Sequence, residues 1–326
     1  MTRMMKTAIL ASVCSAALAQ AAMAEKWDMP LAYPASNYHT ENVVEFAACV
    51  KEATGGEIDI VAHPNGSLFG GADIKRAVQT GQVPIGERLL SAHANENPLF
   101  GVDSIPFLAT SFEESRKLWD AAGPAVAEAL DEQNLVLIYT VPWPPQGLYF
   151  KKEVNSVADM KGTKFRAYNA ATSKIAELTG MAAVQIEAAE VPQAFATGVT
   201  ESMMSSGATG FDSKLWESGV TNFYEVNAWL PRNAVFVNKD SYAALTDAQK
   251  AAFTDCGAKA EAAGLEKAIA YTTKTLEGLT ANGVKVAPPS DQLKADLQAV
   301  GETMTSDWLA AAGDKGKAVI DAYKAK

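Results

Sequence analysis

Among the residues of this chain that could do chemistry, Arg166 has the most informative setting. Residues 160–198 read as strand, helix, strand, helix, and Lys161-Gly162 closes in front of a first strand over residues 163–167. Arg166 therefore falls at the carboxyl end of a strand. In an open α/β sheet, ligands bind in the crevice beyond those ends. A guanidinium there is a planar, permanently charged fork that matches a carboxylate at two points. Beyond the first 24 residues the chain carries only four other arginines, Arg76, Arg88, Arg116 and Arg232, against many more lysines, so the placement is not a by-product of a basic composition. The expectation is that Arg166 holds an organic acid.

Other candidates have two readings each. Glu87-Arg88 follow a predicted strand over residues 83–86, a second carboxyl end, and Arg88 is either another carboxylate contact or neutralised by Glu87. Trp143, Tyr168, Phe211 and Trp216, with Tyr33 and Tyr38, gather near these loops as pocket walls or as ordinary core. Trp143, set among prolines 142, 144 and 145, is the strongest of them. In Met203-Met204-Ser205-Ser206-Gly207, either Ser205 or Ser206 offers a hydrogen bond to a ligand, or the stretch is a structural turn. One strong cation, several aromatics and a methionine-bearing loop together suggest a monocarboxylate with an apolar or aromatic body.

Catalytic patterns are missing. The three histidines, His39, His63 and His93, are scattered and form no metal-spaced pair, so neither a metal nor a cofactor is expected. No G-x-S-x-G elbow or phosphate loop occurs. A secreted hydrolase or isomerase acting on a carboxylic acid is the alternative, with Glu87 and Glu190 as its only conceivable acid and base.

Those side chains need an address and a scaffold. Arg3 and Lys6 precede an apolar stretch over residues 7–19, and Ala22-Met23-Ala24 is an A-x-A type cleavage site, so residues 1–24 read as a signal peptide and the remainder as an exported periplasmic protein. Cys14 lies in the apolar part without a lipobox-like setting. The formal charge of −10 argues against a nucleic-acid partner, which would require clustered cations, and it makes a local cationic pocket stand out. The length beyond the leader exceeds what a single core usually supports, so two lobes are expected. Cys49 and Cys256 remain, and in an oxidising compartment an even pair is more often a disulfide than two buried thiols.

The elements alternate from the start. Strands are expected over residues 27–32 and 57–62, and a helix over residues 37–53 with Val43, Phe46, Ala47 and Val50 on one face. A short helix over residues 72–79 follows. Residues 111–133 read as a helix broken at Gly123-Pro124, and residues 135–141 as a strand buried on both faces. Residues 246–282 read as a long helix with possible breaks at Gly257 and Gly264, and residues 290–326 as a last helical stretch. This is the rhythm of βαβ units with a mostly parallel sheet.

Asp159-Met160-Lys161-Gly162-Thr163-Lys164-Phe165-Arg166, the strand over residues 181–184, and Glu190 through Ala194-Phe195-Ala196-Thr197-Gly198-Val199 resemble the hallmark of one family. It is that of the solute-binding proteins of tripartite ATP-independent periplasmic (TRAP) transporters. The resemblance continues through Pro34 and His39, Thr54-Gly55-Gly56, Gly101-Val102-Asp103-Ser104-Ile105-Pro106-Phe107-Leu108 and Val235-Phe236-Val237-Asn238-Lys239-Asp240. It implies an α/β, two-lobed periplasmic-binding-protein-like fold with mixed, mostly parallel sheets and a long helix bracing both lobes. Lobe I is expected over residues 25–141 plus about 211–258, and lobe II over about 142–210 plus 259–326, with the ligand cleft between them. The resemblance further implies that Arg166 forms a salt bridge to a small organic acid, that the partners are the membrane permease subunits of a TRAP transporter, and that the helices of Cys49 and Cys256 share a lobe. Two departures are visible. Met203 to Gly207 replace a more polar motif of many relatives, and Glu87-Arg88 stand where relatives commonly carry small or aromatic residues.

Overall fold

The computed structural model describes residues 24–325, so the leader expected over residues 1–24 lies, up to Met23, outside the described residues. Strand β1 (Glu25–Pro30) and strand β2 (Ile58–His63) pair in parallel, joined by helix α1 (Tyr38–Ala53). Asn37 caps α1 by accepting from the His39 amide. Gly55 and Gly56, at φ 61° and 86°, take the left-handed turn that lets the chain leave it. Helix α2 (Ile74–Gln79) leads into strand β3 (Ile85–Leu89), and helix α3 (Phe112–Asp131) into strand β4 (Leu135–Pro142). The expected break in α3 does not occur. Pro124 removes one backbone donor, yet Ala122 and Val126 on either side of it are fully buried, and burial of both halves against one core holds the helix through.

Strand β5 (Gln146–Phe150), strand β6 (Lys164–Ala167), helix α4 (Ala170–Thr179), strand β7 (Ala182–Gln185), helix α5 (Val191–Ala196), strand β8 (Ser202–Ser206), helix α6 (Gly207–Asp212) and strand β9 (Asn222–Tyr224) follow. Strand β10 (Arg232–Asn238), helix α7 (Lys239–Ala244), helix α8 (Asp247–Ala281), strand β11 (Lys285–Ala287) and helix α9 (Asp291–Lys324) complete the chain. Besides the β1–β2 pair there is a three-stranded sheet, β3-β10-β4, and a six-stranded sheet, β11-β9-β5-β8-β6-β7. The sheets are mixed. The antiparallel pairs all involve β10 or β5, the two strands that enter a sheet directly from the other one. The helix–strand rhythm of the sequence does not register such entries, so it overweights parallel pairing.

The chain passes from β4 to β5, and so between the sheets, across Trp143-Pro144-Pro145, and returns between β9 and β10 over residues 225–231. The two passages lie side by side: Trp143 N donates to Pro231 O at 2.7 Å, Gln146 N to Trp229 O at 2.9 Å, and Ala228 N to Gln146 O at 2.9 Å. Strand β9 still belongs to the six-stranded sheet, which the chain leaves after Tyr224.

Helix α8 is unbroken for 35 residues, about 50 Å at 1.5 Å per residue. It packs on α1 and β4 along one part and on α6 and β11 along the other, bracing both halves. Gly257 and Gly264 are not breaks but close approaches. A Cβ on Gly264 would stand 2.5 Å from Val141, and one on Gly257 3.0 Å from Ile138. Cys49 of α1 and Cys256 of α8 are joined in a disulfide. Helix α9 bends at Gly313, and its last turns bring Val319 and Ile320 onto the core of α3.

Candidate functional site

The ends of β3 and β4 face the ends of β6, β7 and β8 across a narrow cavity of about 40 Å³. Arg166, third of the four residues of β6, is held between β7 and β8 by its pairings with Val184 and Met203. Its Nε donates to Ile186 O at 2.9 Å, and its guanidinium lies 4.9 Å from the centroid of the Tyr168 ring. The side chain is buried, and among the described residues no acid forms an ion pair with it. Burial pushes its pKa from 12.5 down to about 10, which leaves it charged at neutral pH but short of a counter-charge.

The walls are aromatic and neutral. Tyr168 OH donates to Gln146 Oε1 at 3.1 Å and accepts from Trp229 Nε1 at 3.1 Å, while Gln146 Nε2 donates to Pro144 O at 2.9 Å. Burial raises the Tyr168 phenol far above its usual range, so it stays neutral. Trp143 donates to Asn233 Oδ1 at 2.7 Å and meets Tyr33 edge to face at 4.8 Å. Ser205 and Thr209 add hydroxyls, and Leu89, Ala188 and Pro231 complete the lining.

The cleft is bridged by polar contacts. The Arg88 terminal nitrogen lies 2.9 and 3.0 Å from the two carboxylate oxygens of Glu187, just past β7. Asn169 Nδ2 donates to Ser91 Oγ at 3.0 Å, and Asn37 Nδ2 to Asp212 Oδ2 at 3.0 Å.

Of the residues expected at a site, Arg166, Arg88, Trp143, Tyr168 and Ser205 line this cavity, as does Tyr33. Four others do not. Glu87 lies within β3 rather than beyond it, so alternation along the strand turns it away from Arg88 and toward His39, with its Oε1 3.3 Å from Nδ1. Ser206 caps α6 by accepting from the Thr209 amide. Phe211 meets Trp216 at a tilt and presses on Gly278 of α8. Tyr38 stands behind Trp143 and donates to Pro142 O at 2.7 Å. The expected methionine-bearing loop is strand β8, whose Met203 and Met204 are buried in core rather than turned to a ligand.

Arg88 is thus paired within the chain with Glu187 rather than with Glu87. Glu187, Gln146 and Thr209 were missed. Glu187 carried the same signal as Arg166, a charged residue at the carboxyl end of a strand. His39, His63 and His93 sit beside Glu87, Asp28 and Glu96 respectively, and no cluster of three metal-binding side chains occurs among the described residues.

Over residues 31–312 the chain matches the family model described as bacterial extracellular solute-binding protein, family 7. It resembles the crystal structure of a marine metagenome TRAP solute-binding protein, specific for pyroglutamate, at 52% identity and a TM-score of 0.92, covering 93% of this chain and all of that one. It also resembles DctP6, an extracytoplasmic solute receptor of Bordetella pertussis that binds pyroglutamic acid. Identity there is 46% and the TM-score 0.91, over 93% of this chain and all of that one. A monocarboxylate 2-oxoacid-binding periplasmic protein of Nostoc is 24% identical over 84% of this chain and 77% of its own length.

Proposed function

The chain belongs to family 7 of the bacterial extracellular solute-binding proteins, a family of TRAP carboxylate receptors and not of enzymes, and from that premise we propose that its cleft takes a compact cyclic monocarboxylate of the pyroglutamate type. The observation that carries this reading is the buried guanidinium of Arg166, which no acid among the described residues pairs. A ligand carboxylate would supply the missing charge and accept two charge-assisted hydrogen bonds. The neutral amide of a lactam ring suits the rest of the lining, where Ser205 and Thr209 offer hydroxyls and Trp143, Tyr33 and Tyr168 offer flat apolar faces. The two structural relatives that bind pyroglutamate at 52% and 46% identity support the same ligand class. The hydrolase or isomerase alternative receives no support from family or neighbours.

We place lobe I at residues 25–141 with β10 and the first part of α8, and lobe II around the six-stranded sheet, the return passage lying at residues 225–231. The final turns of α9 then go with lobe I, since Val319 and Ile320 join the α3 core. In this reading the paired passages at residues 143–146 and 228–231 form the hinge, and a ligand that touches both lobes favours the closed state by its differential affinity. Delivery to the membrane permease of a TRAP transporter, and export by removal of residues 1–24, belong to the same proposal.

Titration calorimetry with pyroglutamate tests it. Arg166→Ala is expected to weaken binding by about 2 kcal/mol or more, roughly thirtyfold, because it strands a desolvated carboxylate. Equal affinity in the wild type and the variant would remove the basis of the reading.

A further inference from the structure

Arg88 and Glu187 meet across the cleft in an arrangement that fixes the charge the cavity presents. Arg88 arrives on β3 with its side chain 5% exposed, and one terminal nitrogen serves both carboxylate oxygens of Glu187. The backbone makes room for the pair: a Cβ on Gly71 would stand 2.5 Å from the Glu187 carboxylate and 2.7 Å from the Arg88 guanidinium. Both residues line the same cavity as Arg166, and no other acidic or basic side chain does so among the described residues. The lining therefore holds two guanidiniums and one carboxylate, a single net positive charge.

We propose that Glu187 is a specificity-determining residue: by engaging Arg88 it sets the cleft to accept one carboxylate and to reject two. The inference rests on the reading of Arg166 as the carboxylate anchor. A monocarboxylate balances Arg166 and leaves the cavity neutral. A dicarboxylate brings a second charge into a narrow site where Arg88 is already engaged by Glu187, and a desolvated charge without a partner is penalised. The far end of a lactam carries only neutral polar atoms and escapes that penalty. Selection works here through a repulsive element as much as an attractive one.

Titration of the exported chain with pyroglutamate and with glutarate reads the ratio of the two affinities. The wild type is expected to prefer pyroglutamate. In Glu187→Gln the preference is expected to shrink by about tenfold or more through tighter glutarate binding, as the freed Arg88 takes the second carboxylate. A double variant, Arg88→Gln with Glu187→Gln, is expected to restore the preference. Gly71→Ala changes no charge but displaces the pair, so it should shift the ratio in the same direction, and it carries the test should Glu187→Gln not fold. An unchanged ratio in a folded single variant overturns the proposal, as does a wild type that binds glutarate as tightly as pyroglutamate. The anchor reading fails separately, on an Arg166→Ala variant that keeps its affinity.

Discussion

A guanidinium taken out of water needs either partners in the protein or one from outside. Arg166 and Arg232 are both buried, and burial lowers both to about 10, yet their settings differ. Arg232 donates to the Thr140 hydroxyl at 3.3 Å and the Ser115 carbonyl at 3.4 Å and lies over Trp119, a structural role at the start of β10. Arg166 turns its fork to a cavity. The residue next to Arg232 in space also carries a testable charge. Asp103 accepts from the Arg232 amide at 2.8 Å and from Ser104 Oγ at 3.1 Å, but full burial dominates and pushes its carboxyl from 3.8 up to about 7. The folded state therefore keeps a proton that the unfolded chain releases between those two values. Stability contributed by this group is complete below the lower value and falls as pH rises through the upper one. Asp103→Asn should abolish that part of the pH dependence. Denaturant melts of both proteins on either side of the window check it, and parallel pH profiles would mean Asp103 is ionised when folded.

At the scale of elements, the tightest packing occurs where the sequence reads as weakness. Gly264 looks like an interruption of α8, but it lets the helix approach β4 so closely that Val141 fills the space of a Cβ. Gly264→Ala should raise intrinsic helix propensity by about 1 kcal/mol. Overpacking against Val141 should cost about 1–3 kcal/mol and win. A lower denaturation midpoint for the variant is the expected result, and a higher one would show that α8 can lift off β4 at little cost. Pro124 teaches the same lesson in α3, where burial of neighbouring residues overrides a local breaker. The strand ends behave differently. Arg166 was legible because a strand ending in a charge is a local pattern, whereas Glu87 and Arg88 were displaced by a strand running three residues further than expected.

At the scale of the molecule, the disulfide ties residues 207 apart and links the first long helix to the brace. Closing so long a loop restricts the unfolded chain, an effect worth about 2–5 kcal/mol in most cases. Replacing Cys49 and Cys256 together by alanine should lower the thermal midpoint and leave carboxylate affinity as it was, because neither residue lines the cavity. A variant equally stable would refute the first part, and one that binds less tightly would tie the bond to cleft geometry. The contacts Arg88–Glu187, Asn169–Ser91 and Asn37–Asp212 join the two sides of the cleft through pairs remote in sequence.

Periodicity, punctuation and composition sufficed for the alternating elements, the expectation of two lobes, the cysteine pair and the placing of Arg166 near the end of a strand, because each is written in residues near one another or in simple counts, while the family fold came from the motif resemblance. The pairing of Arg88 with Glu187, the turn of Glu87 toward His39, the retreat of Tyr38, Ser206 and Phe211 from the cavity and the burial of Met203 and Met204 were decided only by the tertiary structure. Side-chain direction along a strand alternates with every residue, so a shift of one or two positions in its limits reverses which side chains face the ligand. Partners about a hundred residues apart meet only once both halves of the molecule have folded.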